Sequence, residues 1–148
     1  MRIQAEDVWN DFLPSLGKIS YVRQAGGAFV RNDSALFTGL EISPYYDSLL
    51  AKLIVWDIDR TSAIKRMLRA IEETRIVGVS TTLPFGAFVM SNRRFASGDL
   101  STGFVDEEFS PEVRTNLYNE LLESRHAAFA AVKSELQKQQ TRKQFLAR

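Results

Sequence analysis

The run "LLAKLIVWDID" at residues 49–59 constrains this 148-residue chain more than any other stretch. It is nearly all apolar, and its length suits a buried strand. A helical turn could lead into it. An amphipathic pattern follows at once. Asp59 stands where a helix N-cap belongs, and Ile64, Met67, Leu68 and Ile71 recur at i, i+3, i+4 and i+7. Lys65, Arg66, Arg69 and Glu72 take the other face. A buried strand feeding an amphipathic helix calls for a mixed α and β core.

The flanking segments fill in that core. Residues 1–6, "KISYVRQ", "AFVRNDSALF" and "LEISPYY" read as short antiparallel strands separated by turn formers. In the second of these, Ile19, Tyr21 and Arg23 share one side, and Ser20, Val22 and Gln24 the other. Gly26-Gly27 and Thr38-Gly39 mark turns. "TRIVGVST" predicts a short strand, and "TLPFGAFVMSN" a short helix with Pro84 in its first turn. "RRFASGDLSTGFVDEEF" reads as irregular. Ser110 caps and Pro111 opens a last helix, with Val113, Leu117, Leu121, Ala128, Val132 and Leu136 as its apolar stripe. Roughly 30 helical residues would span roughly 45 Å, so this helix either folds back or belongs to a following module. The expected class is α+β: an antiparallel β-rich lobe, flanking helices and a long C-terminal helix.

Totals exclude several functions. At 45% apolar and 25% charged residues the composition is that of a globular domain. A net charge of +1 supplies no global pull toward nucleic acid, and no stretch approaches the roughly 20 apolar residues of a membrane span. Without cysteine there are no disulfides and no thiolate metal sites. Residues 111–148 hold seven Lys/Arg against four Asp/Glu, which makes the tail a candidate docking element. The chain drops into a strand at once, as a segment cut from something longer would.

Few residues suggest chemistry on their own. His126 has no second His or Cys near it, so no metal ligand set is expected. Glu6, Asp7 and Asp11 suit turn and capping bonds, with acid–base work as the other option. Tyr45 and Tyr46 precede the buried run, one to pack and one to reach out; Asp47 and Lys52 could pair there. In "GGAFVRNDSALFTG", Arg31 is either an outward charge on a half-buried strand or a placed cation.

Four stretches decide between them. "RIQAEDVWNDFLPSLGKI", "VRNDSALFTG", "YYDSLLAKLIVW" and "DRTSAIKRMLRAIEETRIVGV", in this order and spacing, resemble the C-terminal domain of biotin carboxylase. That component occurs in acetyl-CoA, propionyl-CoA and related acyl-CoA carboxylases and in pyruvate carboxylase. The resemblance covers residues 2 to about 109, so the expected domains are a lobe over 1–109 and a helical tail, or the start of a linking domain, over 110–148. It implies a barrel-sandwich hybrid-like lobe. Gln4, Val8, Leu16 and Thr82 depart from the family pattern of Asn, Pro, Pro and Asn, at what read as turn and surface positions.

The resemblance implies a ligase fragment. Biotin carboxylase uses ATP, Mg²⁺ and bicarbonate, with carboxyphosphate thought to form first, to carboxylate biotin carried on a lysine of a carrier domain. The arginine of the "VR-x-[DE]-S" strand is held to stabilise the ureido oxyanion and contact bicarbonate; here it is Arg31. Asp33 would orient its guanidinium. Thr102 and Gly103, in "STGF", align near the nucleotide's adenine edge. The implied partners are an ATP-grasp domain of the same protein, a biotin carboxyl carrier domain, a second copy in a homodimer, and a carboxyltransferase subunit. No nucleic acid or membrane partner is implied. The phosphate-binding lysines and metal-binding glutamates belong to the ATP-grasp domain, so the fragment is expected to be inactive with no cofactor bound. The implied setting is fatty acid metabolism in the cytoplasm, or in the mitochondrial matrix of a eukaryote. Two alternatives stay open: a subunit-association module without catalytic role, and the C-terminal lobe of another ATP-grasp ligase.

Overall fold

The structure, a computed structural model, describes residues 1–124. His126, Ala128, Val132 and Leu136 lie outside the described residues. The chain divides into two compact units, Met1–Ser101 and Thr102–Arg148.

In the first unit the apolar run becomes β8 (Leu49–Val55), the centre of a three-stranded sheet in the order β1-β8-β6, with β1 at Arg2–Gln4 and β6 at Val30–Ser34. Both neighbours run antiparallel to it. The central position explains the composition: Ala51 and Leu53 are buried, and Leu53 is wholly inaccessible. Three two-stranded sheets surround this one: β2 (Glu6–Asp7) with β3 (Leu13–Pro14), β4 (Gly17–Lys18) with β7 (Glu41–Ile42), and β5 (Tyr21–Arg23) with β9 (Arg75–Val77). "AFVRNDSALF" and "LEISPYY" flank a turn at Thr38-Gly39 but do not pair with each other; the first pairs with β8 and the second with β4.

Helix α1 (Arg60–Glu73) begins as the pattern predicts. The Asp59 carboxylate accepts from the Ser62 amide at 2.9 Å and the Ser62 hydroxyl at 2.8 Å. Those bonds lower the Asp59 pKa, the amide contributing most. Met67, Ala70 and Ile71 are buried in one cluster with Ile3, Ala5, Ala51, Leu53 and Leu83. Leu83 opens α2 (Leu83–Ser91), which carries Pro84 in its first turn.

Several expectations fail for local reasons. "RRFASGDLSTGFVDEEF" is not irregular: it contains α3 (Arg93–Ser97) in the first unit and α4 (Phe104–Glu108) in the second. Both are too short for periodicity to register. The Asn92 carboxamide caps α3 by accepting from the Arg94 and Phe95 amides, and Gly98 ends it at φ +83°. No helical turn precedes β8; instead Asp47 takes the Leu49 amide at 2.7 Å, not Lys52. Tyr45 and Tyr46 are both exposed, at 88% and 86%. Ile19 is buried while Tyr21, placed on its side by alternation, is exposed, because the chain breaks between β4 and β5.

Two of the departures from the family pattern are not surface positions. Val8 is buried, and so is Thr82. The Thr82 hydroxyl accepts from the Gln4 amide at 3.0 Å and donates to the Arg2 carbonyl at 3.2 Å, tying α2 to β1. Gln4 spends its own carboxamide on Glu6 and Ser48.

The second unit begins with the turn at residues 102–103 that leads into α4; Phe104 and Phe109 are buried. Residues 111–124 are helical, with the Ser110 hydroxyl accepting from the Val113 amide at 3.4 Å and Arg114 bonding the Ser110 carbonyl. Among the described residues no helix is long and apolar enough to cross a membrane.

Candidate functional site

Strand β6 pairs five successive residues with β8, from Val30 opposite Val55 to Ser34 opposite Ala51. Alternation turns Val30 and Asn32 half inward, and Arg31 and Asp33 outward. Asn32 fixes the inner side by donating to the Ala25 carbonyl at 2.6 Å. On the outer side Arg31 and Asp33 form a fork. Nη2 donates to Oδ2 at 3.3 Å, and Nε lies 3.1 Å from Oδ1.

The register adds neighbours to this face. Lys52 stands opposite Asp33, Ile54 opposite Arg31, and Arg2 opposite Lys52. Along these paired positions three cations share a small sheet face with one carboxylate. The Arg31 and Asp33 side chains are 69% and 48% exposed, so their pair adds little to stability. Its geometry leaves one edge of the guanidinium on Asp33 and the other edge turned away from it. A guanidinium carries five N–H donors, and the fork engages two of its nitrogens; the outer N–H groups stay free for a planar oxyanion. Among the described residues no three His, Asp or Glu side chains gather to hold a metal ion. Arg31 lines none of the nearby cleft of about 440 Å³ bounded by Val55, Asp57, Arg60, Met67 and Met90. The Arg31 cation lies on an exposed sheet face.

A second cluster, missed in the sequence, sits where the chain enters β6. Arg66 of α1 donates from Nε and Nη2 to one Asp57 oxygen, at 3.0 and 2.7 Å, and from Nη1 to the Ala28 carbonyl at 3.1 Å. Its guanidinium lies 5.3 Å from the Phe29 ring centre, and that ring meets Trp56 at 5.2 Å. The Arg66 bonds, and next the Ile58 amide, hold the Asp57 pKa below the usual carboxylate value.

The family description "biotin carboxylase C-terminal domain" matches residues 1–107. The chain belongs to that family. It is 51% identical over 106 residues to a pyruvate carboxylase subunit of Methanothermobacter thermautotrophicus, covering 72% of this chain and 22% of that one. The biotin carboxylase of Nostoc sp. is 50% identical over 106 residues, covering 72% and 24%. Among solved structures, the biotin carboxylase domain dimer of Hydrogenobacter thermophilus 2-oxoglutarate carboxylase, in complex with MgADP, ADP and bicarbonate, superposes with a TM-score of 0.71. It is 42% identical and covers 72% of this chain and 23% of that one. The chain therefore spans about a quarter of the length of these relatives.

Of the residues singled out in the sequence, Arg31 and Asp33 meet on β6. Thr102 and Gly103 lie in the second unit, where Gly103 precedes the first residue of α4 with φ −83° and ψ 0°. Two of the acidic residues near the start do serve turns and ties: Asp7 accepts from the Trp9 amide, and Glu6 from the Ser48 hydroxyl at 2.7 Å. Nothing in the sequence marks Phe29, Trp56 and Arg66 as a group, because they come from a turn, a strand end and a helix.

Proposed function

We propose that this domain supplies one wall of the active site in a larger biotin-dependent carboxylase, with Arg31 as its catalytic residue. The observation that carries the reading is the forked Arg31–Asp33 pair on an otherwise cationic, open sheet face of a biotin carboxylase C-terminal domain. Carrier-bound biotin supplies the ureido nitrogen that accepts a carboxyl group, and ATP with Mg²⁺ supplies the driving force. Arg31 holds bicarbonate through its free N–H donors and stabilises negative charge at the ureido oxygen. Asp33 keeps the guanidinium from swinging off that line. Mg²⁺ and the phosphates are read as falling to an ATP-grasp domain of the same protein. Thr102 and Gly103 border the adenine of the nucleotide.

Other parts of the reading follow from the relatives. The Hydrogenobacter thermophilus biotin carboxylase domain is a dimer, and the intact protein here is read as a homodimer that serves a carrier domain and a carboxyltransferase subunit. Residues 110–148, helical over the described stretch 111–124, are read as a helical tail or the start of a linking domain; the linking-domain reading favours an acyl-CoA acceptor, acetyl- or propionyl-CoA, in fatty acid metabolism. The proposed location is the cytoplasm, or the mitochondrial matrix of a eukaryote. The test is to assay the full-length protein containing this chain for bicarbonate-dependent ATP cleavage stimulated by free biotin. Its carboxyltransferase is then supplied with acetyl-CoA, propionyl-CoA, pyruvate and 2-oxoglutarate in turn. Absence of biotin-stimulated cleavage removes the proposal; transfer to a keto acid alone corrects the acceptor.

A further inference from the structure

The turn that delivers β6 has almost nothing to hold it in place by packing. Gly26, Gly27, Ala28 and Phe29 are all exposed, and a Cβ built on Gly26 or Gly27 would meet no atom within 4 Å. Yet Phe29 sits at φ +63°, a left-handed conformation that a bulky aromatic residue avoids. Such a conformation persists only where its surroundings over-determine it. Here the surroundings are Trp56 and Arg66. The Trp56 amide donates to the Phe29 carbonyl at 3.1 Å, and the two rings are in contact. Arg66 also lies against the Phe29 ring and binds the carbonyl just before it.

We infer that Arg66 is a positioning residue for Arg31, acting through the Ala28–Phe29 turn; the inference rests on the catalytic reading of Arg31. The guanidinium of Arg66 works in three directions at once. One edge is forked onto Asp57, an outer N–H reaches Ala28, and the cation lies on Phe29. A lysine can serve one of these directions but not all three. The Arg66 and Asp57 side chains are only 26% and 16% exposed, against 69% and 48% for Arg31 and Asp33. The shielded pair is therefore the stiffer one. It anchors α1 to the chain two to three residues before Arg31. On the outer face, Asp33 is the ion-pair partner that Arg31 finds among the described residues. The rest of its aim is inherited from how β6 starts, and a one-residue slip there would turn it to the wrong side.

The experiment uses the full-length carboxylase. Arg66→Gln is compared with Arg66→Lys, Phe29→Gly, Arg31→Ala and the double variant Arg31→Ala/Arg66→Gln. Arg69→Gln serves as control, because it breaks a different ion pair, with Glu73, on the same helix. Misplacing a reacting group lowers rate steeply, so Arg66→Gln should reduce kcat/KM for bicarbonate about tenfold while KM for ATP holds. Arg66→Lys should recover part of that loss, and Arg69→Gln should match wild type. Phe29→Gly should show the bicarbonate defect with little change in thermal midpoint, because glycine accepts the backbone angle but releases the clamp. In the Arg31→Ala background Arg66→Gln should cost almost nothing more, as expected when one residue acts through the other. Full additivity in the double variant overturns the inference, as does wild-type bicarbonate kinetics in Arg66→Gln when Arg31→Ala is impaired. Wild-type kinetics in Arg31→Ala instead removes the catalytic reading of Arg31, and the inference with it.

Discussion

Replacing Arg31 with alanine separates a catalytic cation from a structural one, because the two roles differ in magnitude. The Arg31–Asp33 contacts measure 3.1 and 3.3 Å, but both side chains are largely in water. Exposed pairs of this kind contribute about 0.2–1 kcal/mol. Urea unfolding of the 148-residue chain should therefore shift by less than about 1 kcal/mol on Arg31→Ala. Loss of a donor aimed at developing charge costs about 10²–10³ in rate, or about 3–4 kcal/mol of transition-state stabilisation. The assay is incorporation of labelled bicarbonate into biotin by the full-length enzyme, alongside bicarbonate-dependent ATP cleavage. Arg31→Lys should recover little, because a lysine keeps the charge but cannot fork. Asp33→Asn should fall between wild type and Arg31→Ala. A stability loss above about 2 kcal/mol in Arg31→Ala would mean that the exposed-pair argument is wrong. Near-wild-type carboxylation would mean that the charge is ornamental.

Other outcomes follow from the fold. Gly78 sits at φ +115°, and a Cβ there would overlap the Lys18 carbonyl oxygen and lie 3.0 Å from the Ser20 amide nitrogen, so Gly78→Ala should destabilise by more than about 2 kcal/mol in urea melts. Leu53→Ala empties the wholly buried centre of β8 and should cost about 3–4 kcal/mol by the same measurement. The pH dependence has a definite sign. Asp57 and Asp59 have pKa values below 3.8 in the folded chain, so their contribution is present above about pH 3.8 and fades as pH falls through the lower folded values. Arg66→Gln should flatten the Asp57 part of that acid limb in urea midpoints measured from about pH 5 downward.

Legibility in the sequence followed the range of the interactions. Helix α1 was readable because its cap, Asp59, and its stripe lie within one stretch, and α2 because Pro84 marks its first turn. The short α3 was not, since one Asn92 cap and one glycine stop leave no period to find. Strand identity was readable in β8, but strand partners were not: Arg31 lies opposite Ile54, and Arg2 opposite Lys52, each pair far apart along the chain. Val8 and Thr82 read as turn and surface positions, yet both are buried. Their burial depends on what folds over them.

The residues themselves determined the family, through four stretches in one order, and with it the candidate role of Arg31. They also determined that a buried strand would feed an amphipathic helix, since hydrophobic period is a property of neighbours along the chain. Tertiary structure alone decided that Arg2 and Lys52 stand on the face that Arg31 shares with Asp33, and that Arg66 grips the turn before it. Those contacts join segments dozens of residues apart. Their energies depend on distance and exposure, which exist only once β8 has taken β6 and β1 as neighbours and α1 has packed behind them.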